Sequence, residues 1–193
     1  MLSKFIKKSG QAVVLMSVSG LAIASGNMGD HSHDHGAAMK NHSHEHMTDS
    51  KGKRKKLSAE TKKSVIAVLE ANEQLFDSFF NYDEKKMASA AANVSKKIDQ
   101  INDKEIKKLL TFAKTKLSDL QKMNDRKSHN QNYHLVSMAL IHVINSYDVG
   151  ETYNGYSCPM VKMKWVQNSK KISKVHNPYA PEMKHCGGVE TFY

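Results

Sequence analysis

Cysteine is scarce in this chain: Cys158 and Cys186 are the only two among 193 residues. They form neither a Cys-x-x-Cys redox pair nor a Cys-x-x-Cys-His haem attachment. A Gly-rich phosphate loop and a Gly-x-Ser-x-Gly elbow are also missing, so the motifs of nucleotide and α/β-hydrolase chemistry are not there. Histidines lie near the cysteines, but nothing suggests an oxyanion site or a substrate pocket, and no enzyme is expected. Long apolar runs are lacking beyond residue 24. The mature protein is therefore expected to be soluble, with no stable membrane span.

What is present begins with an export signal. Lys4, Lys7 and Lys8 give a basic start, and an apolar run from Ala12 to Ala24 is broken only by Ser17, Ser19 and Gly20. Ala22-Ile23-Ala24 supplies the small-x-small pattern of a cleavage site. The run is short for a spanning helix, which needs roughly 20 apolar residues. No cysteine follows it, so no lipid anchor is expected. Residues 1–24 read as a signal peptide, and the destination as the periplasm or the exterior. The formal net charge is +10, or +7 without the three signal lysines. In a cytosolic protein that balance would invite a nucleic-acid reading. Export argues against nucleic acid and for a solvated basic surface.

Residues 25–56 are polar and low in complexity, without a periodic apolar face, so a disordered tail is expected there. It carries two related clusters, His31-Ser32-His33-Asp34-His35 and His42-Ser43-His44-Glu45-His46. Imidazole is a ligand for Cu(II), Zn(II) and Ni(II). His-x-His spacing in a flexible chain lets neighbouring rings reach one ion, with little selectivity. The basic run Lys51-Gly52-Lys53-Arg54-Lys55-Lys56 reads as a solvated linker.

Residues 57–193 read as one domain, and four helices are expected in it. Val65, Val68, Leu69, Leu75, Phe76 and Phe79 recur at helical spacing behind a Ser58 cap. Met87, Ala91, Val94, Ile98 and Ile101 step by four and three after Asp83. Ile106, Leu109, Leu110, Ala113, Leu117 and Leu120 follow Asp103. The fourth helix is expected from about Lys127 to Tyr147. Short polar breaks favour antiparallel neighbours, hence a mainly α, up-and-down four-helix bundle. In the fourth helix Val136, Leu140, Val143 and Ile144 make one apolar face, and Leu135, Met138 and Ile141 lie roughly opposite. A helix apolar on two sides needs two partners. One is the bundle, and the other is expected to be the irregular segment Tyr153 to Tyr193. Within that segment Lys162–Val166 and Ile172–Val175 alternate weakly, which leaves room for a short β-hairpin turning at Gln167-Asn168-Ser169.

The C-terminal segment also carries soft donors. Cys158-Pro159-Met160 and His185-Cys186-Gly187 bracket Met163, His176 and Met183. Thiolate and thioether sulfurs prefer Cu(I), and imidazole can complete such a site. Cys158, Met160, Met183 and Cys186 with His176 or His185 would make a Cu(I) site of two to four ligands. Zinc fits less well, because the spacing matches no common zinc module. The competing reading is a Cys158–Cys186 disulfide that staples the segment, with the methionines simply packed. The two can coexist if the sulfurs switch between disulfide and metal-bound dithiol. His134, Met138 and His142 recur every four residues on the fourth helix and read as surface histidines with a core methionine.

Tyr156-Ser157-Cys158-Pro159-Met160, Trp165, Asn177-Pro178-Tyr179 and Met183-Lys184-His185-Cys186-Gly187, taken as an ordered set, resemble the signature of domain-of-unknown-function family 3347. The resemblance covers about residues 57–190. It implies a bacterial envelope protein, since similar domains end some copper and silver efflux adaptor subunits. It also implies Cys158, Met160, Met183 and Cys186 as the metal site, framed by Trp165, Asn177 and Tyr179. His176 and His185 lie outside the shared pattern. Where the family tends to have Gly after Asn-Pro-Tyr, this chain has Ala180-Pro181. The function expected is that of a periplasmic copper chaperone or buffer in metal resistance. Its partners would be the metal ion and a metal-efflux adaptor or other envelope protein. The rival is a structural or partner-binding helical module whose only metal contact is the tail.

Overall fold

A computed structural model describes residues 53–122 and 125–193. The expected signal peptide and both histidine clusters lie outside the described residues. Five helices and a small sheet make up the rest: α1 (Ala59–Phe80), α2 (Glu84–Asp99), α3 (Lys104–Leu109), α4 (Thr111–Leu120), α5 (Arg126–Ser146), β1 (Tyr153–Cys158), β2 (Met163–Asn168) and β3 (Gly188–Val189). The described chain is thus mainly helical, with a three-stranded antiparallel sheet ordered β2-β1-β3. None of its helices is long and apolar enough to cross a membrane.

The helix starts follow local chemistry. Ser58, Asp83 and Asp103 each accept a backbone N–H of the first turn, as their positions predict. Asp125 does the same for α5. The expected third helix is two helices. Leu110 sits between them with φ −89° and ψ 0°, and α4 starts without a side-chain cap. The break preserves burial, since Ile106, Leu110, Ala113, Leu117 and Leu120 all face the core.

Helix α1 packs on α2, α2 on α4, and α4 on α5, while β1 and β2 cover the far side of α5. The two-sided helix therefore has two partners, as expected. The second face is covered unevenly. Ile141 is buried against Gly155 of β1, Leu135 is half-buried, and Met138 is 44% exposed. Met138 is thus a surface methionine rather than a core one.

The hairpin exists but in a different place. Tyr153–Cys158 pairs with Met163–Asn168, and the turn is Pro159–Lys162. Lys162 takes φ 55°, and its N–H closes the turn onto the Cys158 carbonyl at 2.8 Å. Segment 172–175 forms no strand. The Gln167 side chain instead donates to the carbonyls of Ile172 (2.9 Å) and Lys174 (2.8 Å), occupying acceptors that a strand ladder would need. The packed chain also begins before Leu57. Lys55 bridges Tyr147, and Arg54 donates to the carbonyls of Ile144 (3.4 Å) and Gly150 (3.1 Å).

Candidate functional site

The C-terminal segment folds around two aromatic anchors. Trp165 of β2 is fully buried and stacks on Tyr156 with ring centroids 5.9 Å apart. Its edge meets Tyr179 at 6.2 Å. Tyr179 also packs edge-on to Phe79 and beside Tyr133, and its hydroxyl donates to the Lys164 carbonyl at 2.7 Å. Burial first, then Tyr133 beside it, pushes the Tyr179 hydroxyl well above its ordinary pKa, so it stays a donor.

Asn177 shapes the loop that returns to the sheet. It is fully buried, and its Oδ1 accepts the Tyr179 N–H at 3.0 Å, a side-chain turn. Its own N–H donates to the Lys184 carbonyl at 2.7 Å, and its Nδ2 to the Cys186 carbonyl at 3.4 Å. The loop from 177 to 186 is thereby tied at both ends. Ala180 follows with φ −136°, which any residue adopts, so this turn does not require glycine. Pro181 then opens a single 3-10 turn, Pro181–Met183.

This frame brings Cys158 and Cys186 together, and they form a disulfide with Cα atoms 5.7 Å apart. Cys158, the last residue of β1, is 1% exposed; Cys186 is half-buried. In this structure the two sulfurs are joined to each other.

His176 and His185 lie next to one another, with ring centroids 5.5 Å apart and planes 32° from parallel. His185 is exposed, and its Nδ1–H donates to the Val175 carbonyl at 2.8 Å. That bond sets the tautomer and leaves Nε2 with its lone pair outward. His176 is half-buried, with its backbone N–H on Gln167 Oε1 at 3.0 Å and its ring edge-on to Phe80. Burial, then the charges of His185 and Lys184, hold its pKa below the usual imidazole value, so the ring is neutral at pH 7. Met183 is half-buried in the 3-10 turn, whereas Met160 stands on the hairpin turn, 71% exposed. Among the described residues no group of three or more His, Cys, Asp and Glu side chains is gathered as a metal holder.

The α5 histidines behave differently. His134 accepts the Lys164 N–H on Nδ1 at 2.9 Å, joining α5 to β2, and burial lowers its pKa. His142 is exposed. Residues not singled out from sequence also shape the site. Glu190 accepts from Lys164 and Ser157, which pull its carboxyl below the usual range. Glu73 of α1 accepts from Tyr153 Oη (2.5 Å), Asn168 Nδ2 (2.8 Å) and Lys171 Nζ (2.5 Å), fixing the sheet to the first helix. An acid four residues past Leu69 carries no sequence signal for such a role.

Fold and site together define a helical domain capped by a disulfide-closed sheet with a histidine pair at its rim. No protein-family model matches the chain, and searches of curated proteins and of solved structures find no similar chain. The functional reading therefore rests on the residues themselves.

Proposed function

We propose that this is an exported copper-binding protein, a chaperone or buffer of the cell envelope in metal resistance. The folded site takes Cu(I) at Cys158 and Cys186 after the disulfide is reduced. Met183 or Met160 and one of His176 and His185 supply further donors. The observation that carries this reading is the cysteine pair itself, which joins the end of β1 to the loop that bears the paired rings of His176 and His185. An external thiol reductant would deliver two electrons and two protons to the disulfide, and Cu(I) would then displace the protons from the thiols. The histidine clusters from His31 to His46 act as an unselective collector. The resemblance to family 3347 adds a metal-efflux adaptor or other envelope protein as partner. Packing of α1 on α2, α2 on α4 and α4 on α5 supports the finer architecture, an up-and-down four-helix bundle with α3 and α4 as one arm.

The test is a competition titration of the reduced chain with a Cu(I) chelator, with the six tail histidines changed to alanine. About one retained Cu(I) is expected from a dithiolate ligand set. No retention sinks the folded site. The disulfide favours a second reading, a structural or partner-binding module closed by Cys158–Cys186 with metal contact only in the tail. Thiol counting on protein from its native compartment separates the two: a fully oxidised pair that copper cannot protect supports the module.

A further inference from the structure

The disulfide removes both sulfurs from coordination, yet the loop that ends at Cys186 carries two paired imidazoles with open nitrogens. His185 has its Nδ1–H on the Val175 carbonyl and its Nε2 without a partner among the described residues. His176 has only ring contacts, to Phe80 and His185, and neither of its ring nitrogens has a hydrogen-bond partner among the described residues. An imidazole that bonds a backbone carbonyl through one nitrogen is the usual form of a histidine metal ligand.

The spacing fits one shared ion. With metal–nitrogen bonds of about 2.0–2.1 Å, two imidazoles on neighbouring positions of one ion have their centroids roughly 4.5 Å apart in a tetragonal site and roughly 5 Å apart in a tetrahedral one. The observed 5.5 Å is close to the tetrahedral separation. The backbone is already fixed, because His176 N–H is held by Gln167 and the 177–186 loop is tied by Asn177. Imidazole nitrogen is a borderline donor, suited to Cu(II), Zn(II) and Ni(II) rather than to Cu(I) alone.

We propose that His176 and His185 together hold one borderline divalent cation, with Cu(II) as its representative, while the Cys158–Cys186 disulfide is intact. This deepens the proposed function and rests on it for the identity of the metal, but it needs neither thiolate nor reductant. Two protein ligands leave the remaining positions to water, so the ion exchanges readily. Lys184, close enough to lower the His176 pKa, adds repulsion that keeps binding modest. The oxidised protein thus captures Cu(II) at the rim, and the reduced protein holds Cu(I) at the sulfurs.

The experiment uses the full chain with the disulfide intact and His31, His33, His35, His42, His44 and His46 changed to alanine. Cu(II) is titrated and followed by its visible absorption and electron paramagnetic resonance. One equivalent with two imidazole nitrogens is expected, and His185→Gln should weaken binding by at least about tenfold. His176→Gln removes a ring packed on Phe80, so nuclear magnetic resonance of the chain with both rings in place provides a second readout. Cu(II) should broaden the ring signals of His176 and His185 before those of His134 and His142. Broadening centred on His134 or His142, or affinity unchanged in His185→Gln, overturns the proposal. The Cu(I) titration of the same chain after reduction runs in parallel. Cu(I) retention without a Cu(II) site overturns only this inference, and the converse overturns only the sulfur site.

Discussion

Gly187 shows how closely the site is fitted at the scale of one residue. Its φ is +154°, a conformation L side chains rarely adopt, and a Cβ there would lie 2.6 Å from Trp165 Cη2 and 3.0 Å from the Ser157 carbonyl oxygen. Neither neighbour gives way easily, because Trp165 is fully buried and Ser157 belongs to the central strand. Gly187→Ala is therefore expected to destabilise the domain by about 1–3 kcal/mol, through overpacking and backbone strain. Urea unfolding of both proteins checks this, and an unchanged midpoint would show that the Trp165 edge is not a wall. At this scale residue types were readable and their pairings were not. Two histidines nine residues apart carry no mark of adjacency, whereas His134 and His142 share a helical stripe yet one is half-buried on Lys164 and the other exposed. The disulfide was legible as one of two alternatives, because a lone pair of cysteines behind an export-like N-terminal sequence invites both.

Elements that depend on neighbouring residues were legible, and those that depend on distant ones were not. The apolar spacings and the acidic or hydroxyl caps placed helices α1, α2 and α5 and the start of α3 to within a few residues. The Leu110 break escaped because both halves keep the same apolar phase. The weak alternation of Ile172–Val175 points to a strand there, but β2 pairs with Tyr153–Cys158, and the Gln167 side chain takes the carbonyls of Ile172 and Lys174. Glu73 is the corresponding long-range device for helix α1. Burial raises its pKa, but the bonds from Asn168, Lys171 and Tyr153 outweigh this and bring it below the usual glutamate value. A carboxyl whose folded pKa is depressed contributes stability that is present above its unfolded pKa, near 4.3. That contribution is lost as pH falls through the lower, folded value. Acid should therefore loosen the hold of α1 on the sheet, and Glu73→Gln should destabilise the protein at pH 7 while flattening its loss of stability below about pH 4.5. Thermal unfolding across pH 3 to 7 measures both effects. A variant with the same acid slope as the parent would assign that slope to other carboxyls, such as Asp148 and Glu190.

For the whole molecule, the unit that folds begins earlier than composition suggests. The run Lys51 to Lys56 has the look of a solvated linker, and six charged or glycine residues carry no periodicity to contradict that. Yet the Arg54 side chain is 11% exposed, with its guanidinium 3.8 Å from the Tyr193 ring centroid. It also donates to one carbonyl in the last turn of α5 and one beyond its end, and it pairs with Asp148 at 3.7 Å. One side chain thus joins the beginning of the described chain, the exit of its last helix and its final residue. Such a clamp closes the domain as a ring would, because Tyr193 in turn donates to the Tyr153 carbonyl and Asn154 in the central strand. Arg54→Ala should cost about 1–3 kcal/mol, from the cation–π contact and the charged hydrogen bonds together. Arg54→Lys should recover only part of this, since an ammonium keeps the charge but lacks the planar fork that serves two carbonyls and a ring at once. Denaturant titration of the two variants beside the parent, with Tyr193→Ala as the partner substitution, gives the coupling directly. Additive losses in the double variant would show that the Tyr193 ring adds nothing to the hold of Arg54. A smaller combined loss would make it the N-terminal closure of the sheet that carries Cys158.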